Sequence, residues 1–327
     1  MANATVSRLG LVNNSGTNFD ELFLKVLSGE VLTSFTRNNI FNEQLHSVRT
    51  IASGKSASFP VLGTATAAYH SVGTPLVGAN QIKANEKIIT IDDLLISQAF
   101  VAQIDELKNH YDVRATYADE LGKALAKQYD INVAKVIANA SRTSTTLSGG
   151  NGGTVLTLAS GNTNSAAVTG DELAAAIYDI AQTFDERDIP TTDRFCVLPP
   201  AEYYKLAETA TRTVDTDFNP QGNGSFASGK IQQIAGIPVM MSNSVPQTNR
   251  SAVTGENNTY SGDDSKTIGL VFHKSAVGTV KLMDMKTEIS GSDYNLMYQG
   301  TLMIAKYLLG HGVLRPECAA TIKLSAS

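Results

Sequence analysis

A chain of 327 residues with 42% hydrophobic content can bury one large core or two modest ones, and its composition is that of an ordinary globular protein. Its 26 basic and 31 acidic residues leave a formal net charge of −5, which excludes the cationic field that sequence-wide phosphate neutralisation requires. No stretch approaches the roughly eighteen apolar residues of a membrane-spanning helix, and the opening MANATVSRLGLVNNSGTN lacks a signal-peptide core, so the sequence predicts a chain kept in solution, with no membrane partner.

The first element is NFDELFLKVLSGE, where Phe19, Leu22, Phe23, Val26 and Leu27 fall at helical spacing. Asn18 is its candidate N-cap, Glu21 completes a capping-box-like pair, and Gly29 ends it. From Val48 to Leu95 the pattern changes to β-branched residues and glycine without a helical period, which predicts a long open hairpin. Its middle, Gly63 to Asn80, has few large apolar groups with which to build a core, so it reads either as a surface loop or as an arm that pairs with another chain. After Asp112, a plausible N-cap, Val113, Tyr117, Leu121, Leu125, Tyr129, Val133, Val136 and Ile137 recur every three or four residues. This predicts a rod-like helix over about 113–140, roughly 40 Å long, with Tyr117 and Leu121 facing the core.

A Ser/Thr/Gly-rich break, SRTSTTLSGGNGGTVLTLASGNTNS, marks a candidate domain boundary. Beyond it TGDELAAAIYDIAQTFDERDIP reads as an amphipathic helix, DRFCVL as a buried strand, PPAEYYKLAETA as a helix opened by proline, and GIPVMMS as another strand. The polar, turn-rich stretch from Gln247 to Thr267 suits an exposed loop. IGLVFHKSAVGTVKLMDMKTEIS and YNLMYQGTLMIAKYLLGHGVLRPECAATIKL read as returning strands.

Two motifs in this half invite chemistry and fail on inspection. GSFASGKI, residues 224–231, satisfies the phosphate-loop spacing as far as Lys230, but the magnesium-binding hydroxyl position is Ile231. The segment after Lys230 is broken by Gly236, Pro238 and Pro246 rather than opening a helix toward an anion. Asp215, Asp217 and Asn219 have the opening spacing of a calcium loop, yet Pro220 and Phe226 occupy the positions of its obligatory glycine and glutamate. Cys196 and Cys318 are far apart in apolar contexts, which predicts inert buried thiols. His46, His70, His110, His273 and His311 show no metal-ligand spacing, so no catalytic residue, cofactor or metal is assigned.

The order of pieces, a docking helix, an extended arm, a rod, a mixed inserted region and returning strands, resembles the HK97-like bacteriophage capsid fold, an α+β architecture. The blocks FLKVLSGEVLTSF, SGKSASFPVLGTATAAY, EKIITIDDLL, NHYDVRATY, FHKSAVGTVKL and IAKYLLGHGVLRPE are similar to the major capsid proteins of T7-like podoviruses, and they run from Phe23 to Glu317. The resemblance implies an N-arm over 1–47, an E-loop over 48–95, a P-domain over 96–150 and 280–327 with its spine helix at about 113–140, and an A-domain over 151–279. It implies a virion shell protein, not an enzyme, assembled in the host cytoplasm as hexamers and pentamers in an icosahedral T=7 shell around double-stranded DNA. A scaffolding protein and a portal are the further implied partners. A cellular nanocompartment shell of the encapsulin kind is the alternative on the same fold, and a nucleotide-binding enzyme a remote one. In this frame Phe19 and Phe23 of the N-arm, with Phe59, Tyr69, Lys83, Glu86 and Lys87 of the E-loop, are the candidate intersubunit contacts. Some relatives weld subunits through a Lys-Asn bond, which the T7-like group is not expected to do.

Overall fold

The computed structural model describes residues 31, 33, 34, 39–63, 65, 67–75, 78, 82–102, 114–146, 150–158, 168–209, 233–250, 258 and 260–324. The helix read at 18–29 with Phe19 and Phe23, the candidate cap Asp112, the acidic loop of Asp215 to Asn219 and GSFASGKI lie outside the described residues.

In chain order, strands β1 Ser47–Thr50, β2 Ser56–Leu62, β3 Ala84–Thr90 and β4 Leu95–Ala102 precede helix α1, Arg114–Arg142. Strand β5 Thr154–Thr157, helix α2 Gly170–Glu186, strand β6 Arg194–Leu198 and helix α3 Pro200–Thr209 come next. Then come β7 Gln233–Ile234, β8 Ile237–Met241, β9 Thr267–His273, β10 Val277–Ile289, helix α4 Ser292–Tyr298, β11 Gly300–Val313 and β12 Ala319–Lys323. By contact density the chain divides into two units: Met1–Ile40, Asp93–Asp130 and Met283–Leu309 form the first, and Phe41–Asp92, Ile131–Leu282 and Gly310–Ser327 the second.

In the first unit, β4 pairs antiparallel with Gly300–Tyr307 of β11. Residues 31, 33 and 34 are helical. They approach α1 so closely that a Cβ on Gly122 would lie 2.7 Å from the Val31 carbonyl oxygen, so only glycine fits there. The buried Asp130 carboxylate accepts the Ile40 amide at 2.9 Å, and Tyr129 meets Tyr307 edge to face at 6.4 Å. One segment departs from the expected strand. The start of YNLMYQG belongs to the short helix α4, which ends where Gln299 takes a left-handed conformation at φ 50. The Ser290 hydroxyl, bonded to Asn295 and accepting the Leu302 amide, ties the two ends of this connection together.

The 29 residues of α1 extend about 44 Å at 1.5 Å per residue. Leu121, Leu125, Tyr129, Val133, Val136 and Ile137 are buried along it as the periodicity predicts, interleaved with buried Ala118, Ala126, Ala134 and Ala138. Tyr117 is a correction: it is 38% exposed. A row of residues four apart drifts by about 40° per step in a 3.6-residue helix, so Tyr117 has rotated off the arc that Ala118, Leu121 and Leu125 bury.

The second unit holds, among its described residues, a six-stranded sheet in the order β5-β12-β9-β6-β8-β7. β12 runs parallel to β5 and antiparallel to β9, and β6 lies antiparallel to β9 and parallel to β8. Helix α2 begins in a complete capping box, with the Thr169 hydroxyl on the Glu172 amide and the Glu172 carboxylate on the Thr169 amide. It buries Leu173, Ile177, Ile180 and Phe184. Beneath its end the buried Arg194 guanidinium lies 5.6 Å from the Phe184 ring centre and pairs with Asp185 at 2.7 Å. The strands read at DRFCVL and GIPVMMS and the helices read at TGDELAAAIYDIAQTFDERDIP and PPAEYYKLAETA all form. Cys196 and Cys318 are buried, and burial pushes the Cys196 thiol up to about 12, an inert state.

Leu121 is nearly inaccessible. We expect Leu121→Ala to destabilise the subunit by about 2–5 kcal/mol and to reduce soluble yield. Denaturant unfolding that matches the parent would show the inward face of α1 to be misassigned.

Candidate functional site

The feature least explicable within one chain is the hairpin of β2 and β3. Its register pairs Ser56 with Thr90, Phe59 with Lys87 and Leu62 with Ala84, and successive side chains alternate between two faces. One face carries Ala57, Val61 and Ile89, which are buried. The other carries Ile88 and Leu62, which are 60% and 63% exposed. Farther out, Tyr69, Val72 and Ile82 are also exposed. Isolated exposed apolar side chains are ordinary, but here two share one face of the ribbon and three more lie in the segment that joins its strands, exposed among the described residues.

The structure places the sequence-read contacts differently from one another. Phe59 lies on the partly covered face opposite Lys87, with the Arg49 guanidinium 5.8 Å from its ring centre. Arg49 also donates to the Ser58 carbonyl at 2.5 Å. Glu86 and Lys87 are neighbours on a strand and so point to opposite faces. Tyr69 is fully exposed, and Lys83 contributes its carbonyl to the Gly63 amide at 2.8 Å.

At its root the hairpin is held on both legs. The outgoing leg continues β1, which pairs in parallel with Gly278–Lys281, and the Ile51 amide donates to the Lys281 carbonyl. The return leg lies so close to β11 that a Cβ on Gly310 would sit 2.1 Å from the Thr90 carbonyl oxygen, and one on Gly312 would sit 2.8 Å from Ile89. Beyond it, Asp92 Oδ1 accepts the Asn258 amide at 3.1 Å and Asn258 Nδ2 at 2.7 Å, while Oδ2 accepts the Tyr260 hydroxyl. Asn258 Nδ2 also donates to the Thr90 carbonyl at 2.6 Å, and Asn258 Oδ1 accepts the Thr90 hydroxyl at 2.9 Å.

Behind Tyr260 stands a buried ionic group. Arg250 donates to the Tyr260 carbonyl and to Asp264 Oδ2, with its Nε at 2.8 Å. Asp264, which has no exposed surface, meets Arg142 Nη1 from the end of α1 at 2.6 Å, an ion pair without hydrogen-bond alignment. Arg142 is held in turn by Asn139 and by the Asp263 carbonyl. The reading of Gln247 to Thr267 as a wholly exposed loop is therefore overturned, since Arg250, Tyr260, Asp264 and Thr267 are buried. Only the lone aromatic Tyr260 hinted at this; the charged residues of a polar loop look alike until a partner is placed beside them.

A cleft of about 490 Å³ opens here, lined by Lys87, Val136, Asn139, Arg142, Asn258 and His311 among others. Among the described residues no group of three or more His, Cys, Asp or Glu side chains is placed to hold a metal ion. Buried His311 shares a hydrogen bond with the Thr279 hydroxyl at 2.8 Å and donates its amide to the Tyr260 hydroxyl at 3.3 Å. Burial, with the nearby His46 adding to it, lowers His311 to about 3, and burial lowers His46 to about 4 against the opposing pull of Glu43.

Both folded-state values lie below the ordinary 6.5, so between them the unfolded chain binds protons that the folded chain refuses. The stability these neutral rings contribute is present above about pH 6.5 and is lost as pH falls, by at most about 1.4 kcal/mol per pH unit for each histidine. We expect the melting temperature of the subunit to fall on acidification from about pH 7 to 5 and His311→Asn to flatten that slope. An identical slope in the variant would remove His311 from the acid response.

Residues 58–323 match the family model described as Gp10A-like major capsid protein. The chain is 34% identical over 334 residues to the major capsid protein of Escherichia phage T7, covering 92% of this chain and 91% of that one. The solved capsid structure of cyanophage P-SCSP1u superposes with a TM-score of 0.80 at 48% identity and covers all of both chains. The mature capsid of bacteriophage PhiM1 superposes at 0.69 with 19% identity over 89% of this chain and 88% of that one, which speaks to the fold alone.

Proposed function

This chain belongs to the Gp10A-like family of major capsid proteins, with an HK97-like α+β fold and a structural role in the virion shell, and we propose that its subunits assemble as hexamers and pentamers into an icosahedral T=7 shell enclosing packaged double-stranded DNA. Assembly takes place in the host cytoplasm with a scaffolding protein, and a portal occupies one vertex. In this reading residues 1–47 are the N-arm, 48–95 the E-loop, 96–150 and 280–327 the P-domain, and 151–279 the A-domain.

The observation that carries the reading is the ribbon of β2 and β3, whose outer face and tip present Leu62, Tyr69, Val72, Ile82 and Ile88 with nothing in the described chain to cover them. A neighbouring copy supplies that cover, and Phe59, Tyr69, Lys83, Glu86 and Lys87 lie in the strap it receives. Phe19 and Phe23 are assigned to the same set from the sequence. The net charge of −5 supports containment of DNA rather than tight capture, because a subunit without a cationic excess gains little from phosphate. We assign no catalysis to the chain: Ile231 stands where a phosphate loop needs its hydroxyl, which leaves the nucleotide-binding alternative without its magnesium ligand. The nanocompartment alternative is not favoured, since the sequence identity lies with phage capsid proteins.

Deleting Gly63 to Asn80 is expected to leave a folded, soluble subunit that closes no shells. Electron microscopy of purified full-length protein and of the deletion decides the matter: closed particles from the parent alone support the strap, and normal particles from the deletion remove it.

A further inference from the structure

The residues at the root of the hairpin hold an arrangement that core packing does not explain. Every hydrogen-bonding group of the Asn258 side chain is spent on the arm's return leg: Nδ2 on the Thr90 carbonyl and on Asp92 Oδ1, and Oδ1 on the Thr90 hydroxyl. Its backbone amide is spent there too, on Asp92 Oδ1. The Tyr260 hydroxyl takes the remaining oxygen of Asp92 while its ring stays buried. One carboxylate thus accepts three donors from two residues of a single loop, and charge-assisted bonds of this kind are the more directional ones.

That loop is itself held. The Tyr260 carbonyl is taken by Arg250, Arg250 by Asp264, and Asp264 by Arg142 at the end of α1. The outgoing leg of the arm is tied separately, through β1 and the Ile51 amide. A ribbon tethered on one leg can swing about that tether; tethered on both, it keeps one direction. The glycines at 310 and 312 let the return leg lie close without bonding it, and farther along the strand an exposed bond runs from Asn85 Nδ2 to the Thr146 carbonyl at 2.7 Å, open to competition from water where the clamp is sheltered.

We propose that Asn258 and Tyr260 form a clamp on Asp92 that sets the direction in which the arm leaves its unit. They are positioning residues for assembly, and the inference rests on reading the arm as an intersubunit strap. Without the clamp the arm still forms its ladder but samples a wider fan of directions, and the neighbour must select one of them.

The test uses full-length subunits kept unassembled by dilution. Spin labels are placed at Tyr69→Cys on the arm and Asp179→Cys on the exposed side of α2, and Cys196 and Cys318 are too deeply buried to compete. In an Asn258→Ala, Tyr260→Phe background the distance distribution between the labels is expected to broaden by at least about two-fold relative to the parent. If that double variant does not fold, Tyr260→Phe alone decides, since it keeps the buried ring and loses one hydroxyl, and a measurable broadening is again expected. A contact that merely stabilises the fold would lower the melting temperature and leave the width as it was. That result overturns the clamp. Closed shells from the Gly63–Asn80 deletion would instead sink the strap reading, and the label distances would still report on the clamp.

Discussion

A two-stranded ribbon has two faces, and the described residues of this chain cover only one of them. Two seven-residue strands with a glycine-rich tip cannot supply a core of their own. Ala57, Val61 and Ile89 bury against the chain, while Leu62 and Ile88 face away from it. The surrounding features depend on that constraint. The neighbouring strand β11, which belongs to a different sheet, carries glycine at 310 and 312, where any side chain would push the return leg away, and Gly278 in β10 likewise leaves room for Ile89 and Leu314. On the strap reading the uncovered face is the reason for the arm. Ordering such a ribbon costs conformational entropy, and on that same proposed reading contacts from another copy offset that cost.

The second constraint is electrostatic. Asp264 is fully buried between Arg250 and Arg142, and a carboxylate so placed is tolerable only because both cations are there. Such a group adds little net stability relative to an apolar replacement of the same shape, but it is intolerant of misplacement, since losing one partner strands a buried charge. Its place in this fold suits that property: it joins the end of the long helix to the loop that grips the arm. His46 and His311 add neutral polar groups that charge only at an energetic cost, so the same region is sensitive to acid.

The long helix was legible because its signal is local and repeated. Buried positions from Leu121 to Ile137 recur at the period of one element, and no distant residue is needed to see them. The same holds for the amphipathic helix read at TGDELAAAIYDIAQTFDERDIP and for the apolar runs that became β6 and β9. The family blocks were legible for a different reason: their order along the chain is itself information, and the 34% identity to the T7 protein confirms what they resembled. Tyr117 failed because periodicity gives a stripe but not the width of the neighbour that covers it. YNLMYQG reads as a strand in sequence because its aromatic and apolar residues suit either state, and the choice falls to a left-handed Gln299 and the Ser290 hydroxyl.

The root of the arm was invisible in the sequence. Asp92, Arg142 and the group Arg250, Asn258, Tyr260 and Asp264 come from three separate stretches of the chain, and each residue by itself is an ordinary polar residue or a lone tyrosine. Their meaning is pairwise: a buried carboxylate is acceptable only beside its cations, and an asparagine becomes a clamp only when a strand passes within hydrogen-bond reach. The sequence by itself determined the elements with a period, the failure of the phosphate and calcium motifs at their obligatory positions, and the family. Only the tertiary structure decided which polar residues are buried and which face of the ribbon stays bare, because both depend on distances between segments that no local pattern encodes.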